Sequence, residues 1–91
     1  MKEITKTVLN ASGIHARPAG IFITEATQFH SKITVTTRTT EKSADAKSIL
    51  RVMTLCLTKD TPIKITAEGA DEDAAVEALG ALIDSGLGEE I

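Results

Sequence analysis

Chemistry is concentrated in one short stretch of the chain, Ser12-Gly13-Ile14-His15-Ala16-Arg17-Pro18-Ala19. His15 immediately precedes a segment with helical periodicity, and the first backbone amides of a helix have no intrahelical acceptor. An imidazole there lies at a natural anion site, so a phosphoryl group on the ring would meet free N–H groups. Arg17 adds a permanent cation whose donor fork matches phosphate oxygens. The positive helix end also disfavours imidazolium and leaves a neutral ring nitrogen as nucleophile near neutral pH. Two plainer readings stand beside this one, with His15 as a polar loop residue and Arg17 as a solvated charge on a helix surface.

The elements that must position these residues follow from periodicity. Residues 3–9 carry Ile4, Thr5, Thr7, Val8 and Leu9, which favour a strand, and residues 10–13 supply turn chemistry. From Ala16 onward, Ala19, Phe22, Ile23, Ala26 and Phe29 recur at spacings of three and four, predicting a one-striped helix that ends near Gln28. Pro18 falls in its first turn, where a missing amide proton costs nothing. Residues 32–38 alternate Ile33, Val35 and Thr37 against Lys32, Thr34 and Thr36, and residues 39–44 supply a shorter, polar return strand. Residues 45–48 offer capping oxygens ahead of Ile49, Leu50, Val52, Met53 and Cys56, a short amphipathic helix with a broad apolar face. Cys56 reads as a buried small hydrophobe, and Phe22 as core.

Thr61-Pro62 opens a strand in which Ile63, Ile65 and Ala67 share one face. Asp71, Glu72 and Asp73 then place negative charge at a helix start, Ala75, Val76, Leu79, Leu82 and Ile83 form its stripe, and Gly86 terminates it. His30, near the end of the first helix, reads as a charge favourable to the dipole. The order β-α-β-β-α-β-α predicts an open-faced two-layer α/β sandwich, a mainly antiparallel sheet with all helices on one side.

Composition narrows the function classes. With 91 residues, the chain fits one domain over residues 1–91 around one core. A single cysteine provides neither a disulfide framework nor a cysteine-built zinc site, which favours a reducing compartment. Apolar runs are too short to span a membrane or direct export, so a cytoplasmic, soluble chain is expected. Ten basic against thirteen acidic side chains, a formal charge of −3, and no basic run or stacking aromatics argue against nucleic-acid binding.

Gly13-Ile14-His15-Ala16-Arg17-Pro18-Ala19 resembles the active-site signature of the HPr family, the histidine-containing phosphocarriers of the bacterial phosphoenolpyruvate-dependent sugar phosphotransferase system. Lys47-Ser48-Ile49-Leu50 with Val52-Met53, Gly69-Ala70-Asp71-Glu72 and Gly86-Leu87-Gly88-Glu89 agree with it in order and approximate spacing. The resemblance implies a four-stranded antiparallel sheet with three helices on one face. It implies a stoichiometric carrier, not a turnover enzyme: His15 takes phosphate on Nδ1 from phosphorylated enzyme I and passes it to sugar-specific IIA components. Arg17 would clamp the phosphoryl group, with Ser12 and the Ala16 and Arg17 amides shaping the site. Neither metal nor cofactor is implied.

Read alone, Ser48 is a helix cap. By the resemblance it is also a regulatory serine, modified by an HPr kinase/phosphorylase to give a corepressor for a catabolite-control transcription factor. Phosphate adds roughly −1.5 to −2 charge, which would weaken partners that recognise a docking face built from Ile49, Leu50, Arg51 and Met53. Departures from the family pattern are a hairpin longer by two residues around residues 38–42, Arg51 where a small residue is usual, and Gly20 early in the helix. A monomer is expected, because partners must reach one exposed face. Two rival readings remain: a regulatory paralogue acting through Ser48 or serving a specialised system, and a metabolite-binding regulatory domain.

Overall fold

The structure is a computed structural model that describes residues 1–89. The elements run β1 (Lys2–Thr7), α1 (Ala16–Ala26), β2 (Lys32–Thr37), β3 (Ser43–Asp45), α2 (Ile49–Met53), β4 (Pro62–Glu68) and α3 (Glu72–Asp84). The strands form one sheet in the order β1-β4-β2-β3, and every neighbouring pair is antiparallel. Ile65 sits at the centre, paired with Ile4 on one side and Val35 on the other.

Alternation decides which face is covered. Ile63, Ile65 and Ala67 of β4 are buried with Ile33 and Val35 of β2, whereas the intervening Lys64, Thr66 and Thr34 are only partly covered. Thr36 departs from the alternation: it is buried as well, with its hydroxyl 2.8 Å from that of Ser43. Helix α3 lies over β1 and β4, α1 packs on α3 and α2, and α2 reaches β3. Phe22, Val76, Leu79 and Ile83 bring the helical stripes into one core with the sheet. The open-faced sandwich expected from the pattern is the observed fold. Element ends differ by a few residues: α1 stops at Ala26, β1 at Thr7, and β3 shrinks to three residues.

The second helix corrects one expectation. Only Val52 of α2 is buried, while Ile49, Leu50 and Met53 stand 41%, 77% and 38% exposed. Cys56 lies beyond the helix, exposed, at φ 53°. The left-handed backbone there breaks the helical register that would have carried its side chain into the core.

Asp71 has a different job from the one its place at a helix start suggests. It occupies the N-cap of α3 yet makes no cap bond. Its carboxylate instead accepts the His30 amide at 2.8 Å, the Ser31 amide at 2.9 Å and the Ser31 hydroxyl. This ties the segment between α1 and β2 to the start of α3. These bonds, the Ser31 hydroxyl foremost and the His30 amide next, hold the Asp71 carboxyl at about 2 against an ordinary 3.8. A folded-state pKa below the unfolded one stabilises above the unfolded value, and that contribution disappears as pH falls through the folded value. Asp71→Asn should therefore lower Tm at neutral pH, and the gap to wild type should close between about pH 4 and pH 2. Thermal melts of both proteins across that range check it.

The loop ahead of α1 is fixed by a backbone contact. Gly13 has φ +67°, and a Cβ on it would lie 2.2 Å from the Leu57 carbonyl oxygen. The next amide, that of Ile14, donates to this same oxygen at 2.8 Å. Gly13→Ala should cost about 2 kcal/mol or more, a fall in Tm on the order of 10 °C, measurable by calorimetry.

Candidate functional site

His15 is the N-cap of α1, extended at φ −136° and ψ 160°, and its side chain makes no cap bond. The reason is local. An N-cap side chain accepts from the second or third helical amide; here the third helical residue is Pro18, which has no proton to give, and the second, that of Arg17, is left unused. Ala19 donates to the His15 carbonyl at 3.3 Å. Among the described residues, the Ala16 and Arg17 amides have no acceptor, so two free N–H groups remain beside a ring with both nitrogens free.

Ala16 has φ 49°, a left-handed conformation that costs an alanine roughly 1 kcal/mol. The chain thus enters the helix through a strained turn directly after the imidazole. His15 is half-buried and Arg17 exposed, and among the described residues Arg17 forms no ion pair. A shallow site with an uncommitted imidazole, two amides and one guanidinium can accept a phosphoryl group and surrender it again.

The other sequence-derived residues fall into two places. Ser48 caps α2, its hydroxyl oxygen accepting the Arg51 amide at 3.4 Å. The preceding Lys47 donates from Nζ to the Phe29 carbonyl at 2.7 Å, so the start of α2 lies by the end of α1. The contact of Gly13 and Ile14 with Leu57 places the end of α2 by the start of α1. His15 and Ser48 are therefore at opposite ends of the α1–α2 pair, with exposed Ile49, Leu50 and Met53 on α2 between them. Arg51 leans away to line an open groove with Lys32, Ser43 and Asp45 at the β3 edge.

Ser12 is not free to reach an anion in this state. Its amide and hydroxyl both donate to the Glu89 carboxylate, at 3.3 and 2.9 Å. Asn10, fully buried, donates to the same carboxylate at 2.8 Å. Sequence reasoning missed Asn10 and Glu89 as partners. The signal present was the glycine pair ahead of Glu89, which turns the chain back. These bonds, from Asn10 first and then Ser12, lower the Glu89 carboxyl below its ordinary value.

Among the described residues, no cluster of His, Cys, Asp and Glu could hold a metal, and no helix is long and apolar enough to cross a membrane. Residues 2–85 match the family model described as the PTS HPr component phosphorylation site. The chain is 49% identical over 76 residues to phosphocarrier protein HPr of Haemophilus influenzae, covering 84% of this chain and 87% of that protein. It is 48% identical over 83 residues to phosphocarrier protein HPr of Lysinibacillus sphaericus, covering 91% and 92%. A crystal structure of HPr from Thermoanaerobacter tengcongensis superposes with a TM-score of 0.95 at 43% identity over the whole of both chains. Signature, sheet order and relatives thus agree, and the chain belongs to the HPr family of phosphocarriers of the sugar phosphotransferase system.

Proposed function

We propose that residues 1–91 form one carrier domain that takes a phosphoryl group on His15 from phosphorylated enzyme I and passes it to IIA components. The observation that carries this reading is the uncapped imidazole of His15 beside two helix-start amides and an Arg17 that, among the described residues, have no partner. Nδ1 as the acceptor is what the resemblance to the family implies.

The Nδ1 lone pair forms the new N–P bond as the donor's bond to phosphorus breaks, and the donor keeps that electron pair. The ring proton stays on Nε2 until water takes it. The Ala16 and Arg17 amides and the Arg17 guanidinium stabilise the oxygens, which carry the charge in a loose transition state. Ser12 supports the site through the shape of the loop. The chain is a stoichiometric carrier in this reading, monomeric and cytoplasmic, with its docking face on Ile49, Leu50 and Met53 and with Arg51 at the margin.

Ser48 supplies the regulatory half of the proposal, as target of an HPr kinase/phosphorylase whose product serves as corepressor for a catabolite-control transcription factor. Ser48 is half-buried at the start of α2, and the apolar patch begins at the next residue. A dianion there desolvates poorly and burdens any partner that covers Leu50.

Incubation with phosphoenolpyruvate and enzyme I should add one acid-labile phosphate, read by intact mass, that His15→Ala abolishes. Arg17→Ala should slow the transfer about 10- to 100-fold, the worth of one charge-assisted hydrogen bond of roughly 1.5–3 kcal/mol. An unmodified wild-type chain beside an active enzyme I, or full labelling of His15→Ala, would sink this reading. Ser48→Asp should raise the KM of enzyme I for this chain roughly fivefold, about 1 kcal/mol, with little change in kcat. Steady-state kinetics at fixed ionic strength measure both constants.

A further inference from the structure

We propose that Glu89 is a positioning residue for His15: its carboxylate, folded back by the Gly86-Leu87-Gly88 turn, fixes the loop of residues 10–13 from which His15 is presented. The inference rests on the phosphocarrier reading of His15 and adds to it a residue remote in sequence.

The turn is built at a cost. Gly86, Leu87 and Gly88 all have positive φ, at 84°, 54° and 86°. Leucine disfavours that region, yet Leu87 is fully buried, and its amide donates to the Leu82 carbonyl at 3.1 Å. A Cβ on Gly88 would come within 3.0 Å of Ile21 Cδ1, so the turn is pressed on α1 itself. The Glu89 amide closes it on the Gly86 carbonyl at 3.0 Å. One left-handed glycine is enough to close a helix, so three consecutive left-handed residues, one of them anchored in the core, exceed what a cap requires.

What this geometry delivers is a bidentate acceptor. Glu89 Oε1 takes Asn10 Nδ2 at 2.8 Å and the Ser12 amide at 3.3 Å, and Oε2 takes the Ser12 hydroxyl at 2.9 Å. Asn10 Nδ2 also donates to the Gly13 carbonyl at 2.8 Å, so one buried nitrogen joins Glu89 to the residue two before His15. Asn10 is fully buried, and among the described residues its Oδ1 already lacks a partner. Removing the carboxylate would orphan Nδ2 in part as well, leaving a buried amide poorly satisfied at both ends. Relaxation of the loop is the available relief, and it moves the backbone that holds the imidazole. The docking patch on α2 is untouched by that change.

The test compares wild type, Glu89→Ala, Glu89→Gln and the charge-matched Glu41→Gln in the full chain, phosphorylated by enzyme I and phosphoenolpyruvate. Glu89→Ala should lower kcat about tenfold with KM unchanged, and the Ser12 amide and Asn10 side-chain amide protons should exchange faster by NMR. Glu89→Gln keeps an oxygen for one set of donors and should recover part of the loss, while Glu41→Gln should match wild type. An unchanged kcat in Glu89→Ala, a rise in KM in place of a fall in kcat, or a loss that glutamine leaves as large as alanine does overturns the proposal. Failure of the wild-type chain to accept phosphate would instead overturn the carrier reading on which it rests.

Discussion

The Leu57 carbonyl accepts the Ile14 amide at 2.8 Å, and Gly13 lies so close to the same oxygen that only a residue without a side chain fits. This backbone contact joins the segment entering α1 to the segment leaving α2. The His15 end of one helix is thereby set near the segment that follows the other. Because backbone atoms make the contact, its geometry depends little on rotamers, and the start of α1 is held in one orientation.

Function is visible where stability is forgone. Leu50 stands 77% exposed, so the chain gives up part of the roughly 1.5–3 kcal/mol that burial of a leucine contributes. Ala16 and Leu87 both hold left-handed conformations, one at the start of α1 and one in the turn that returns Glu89. Strain of this kind persists only where surrounding contacts over-determine it, and here those contacts are the packed core under Leu87 and the bonds around Asn10. The cost is spread around His15 and scarcely touches the sheet, whose register is regular from Lys2 to Thr7 against β4.

Much of this was legible in the sequence. One-faced strands, the stripe of α1 and the acidic start of α3 are local patterns, and they suffice to order the elements and choose the layer architecture. The helix starts at His15 and Ser48 were readable because such starts announce themselves within a few residues. What escaped reading was long-range or conformational. Glu89 meets Ser12 across 77 positions and Asp71 meets Ser31 across 40, and no periodicity records such pairings. Cys56 was misplaced because an apolar run was extended through a residue whose backbone turns left-handed, a break that composition does not mark.

Separation of the two hydroxyl- and imidazole-bearing helix starts decides how a charge at one could influence the other. Helix α1 has 11 residues and so spans about 16 Å, and Ser48 lies toward its far end from His15. Two phosphates of roughly −1.5 to −2 charge on the order of 15 Å apart in water interact by about 0.6–1.1 kcal/mol, and salt with a screening length of about 8 Å cuts that to about 0.1–0.2 kcal/mol. Direct repulsion between phosphates at the two sites is therefore too weak to switch transfer. The space between them holds Ile49, Leu50 and Met53, where a partner must displace water from both apolar surface and any charge nearby. Desolvating a phosphate at the edge of that patch costs far more than repulsion across it, so under the proposed regulation the influence of Ser48 on His15 would pass through whatever docks between them.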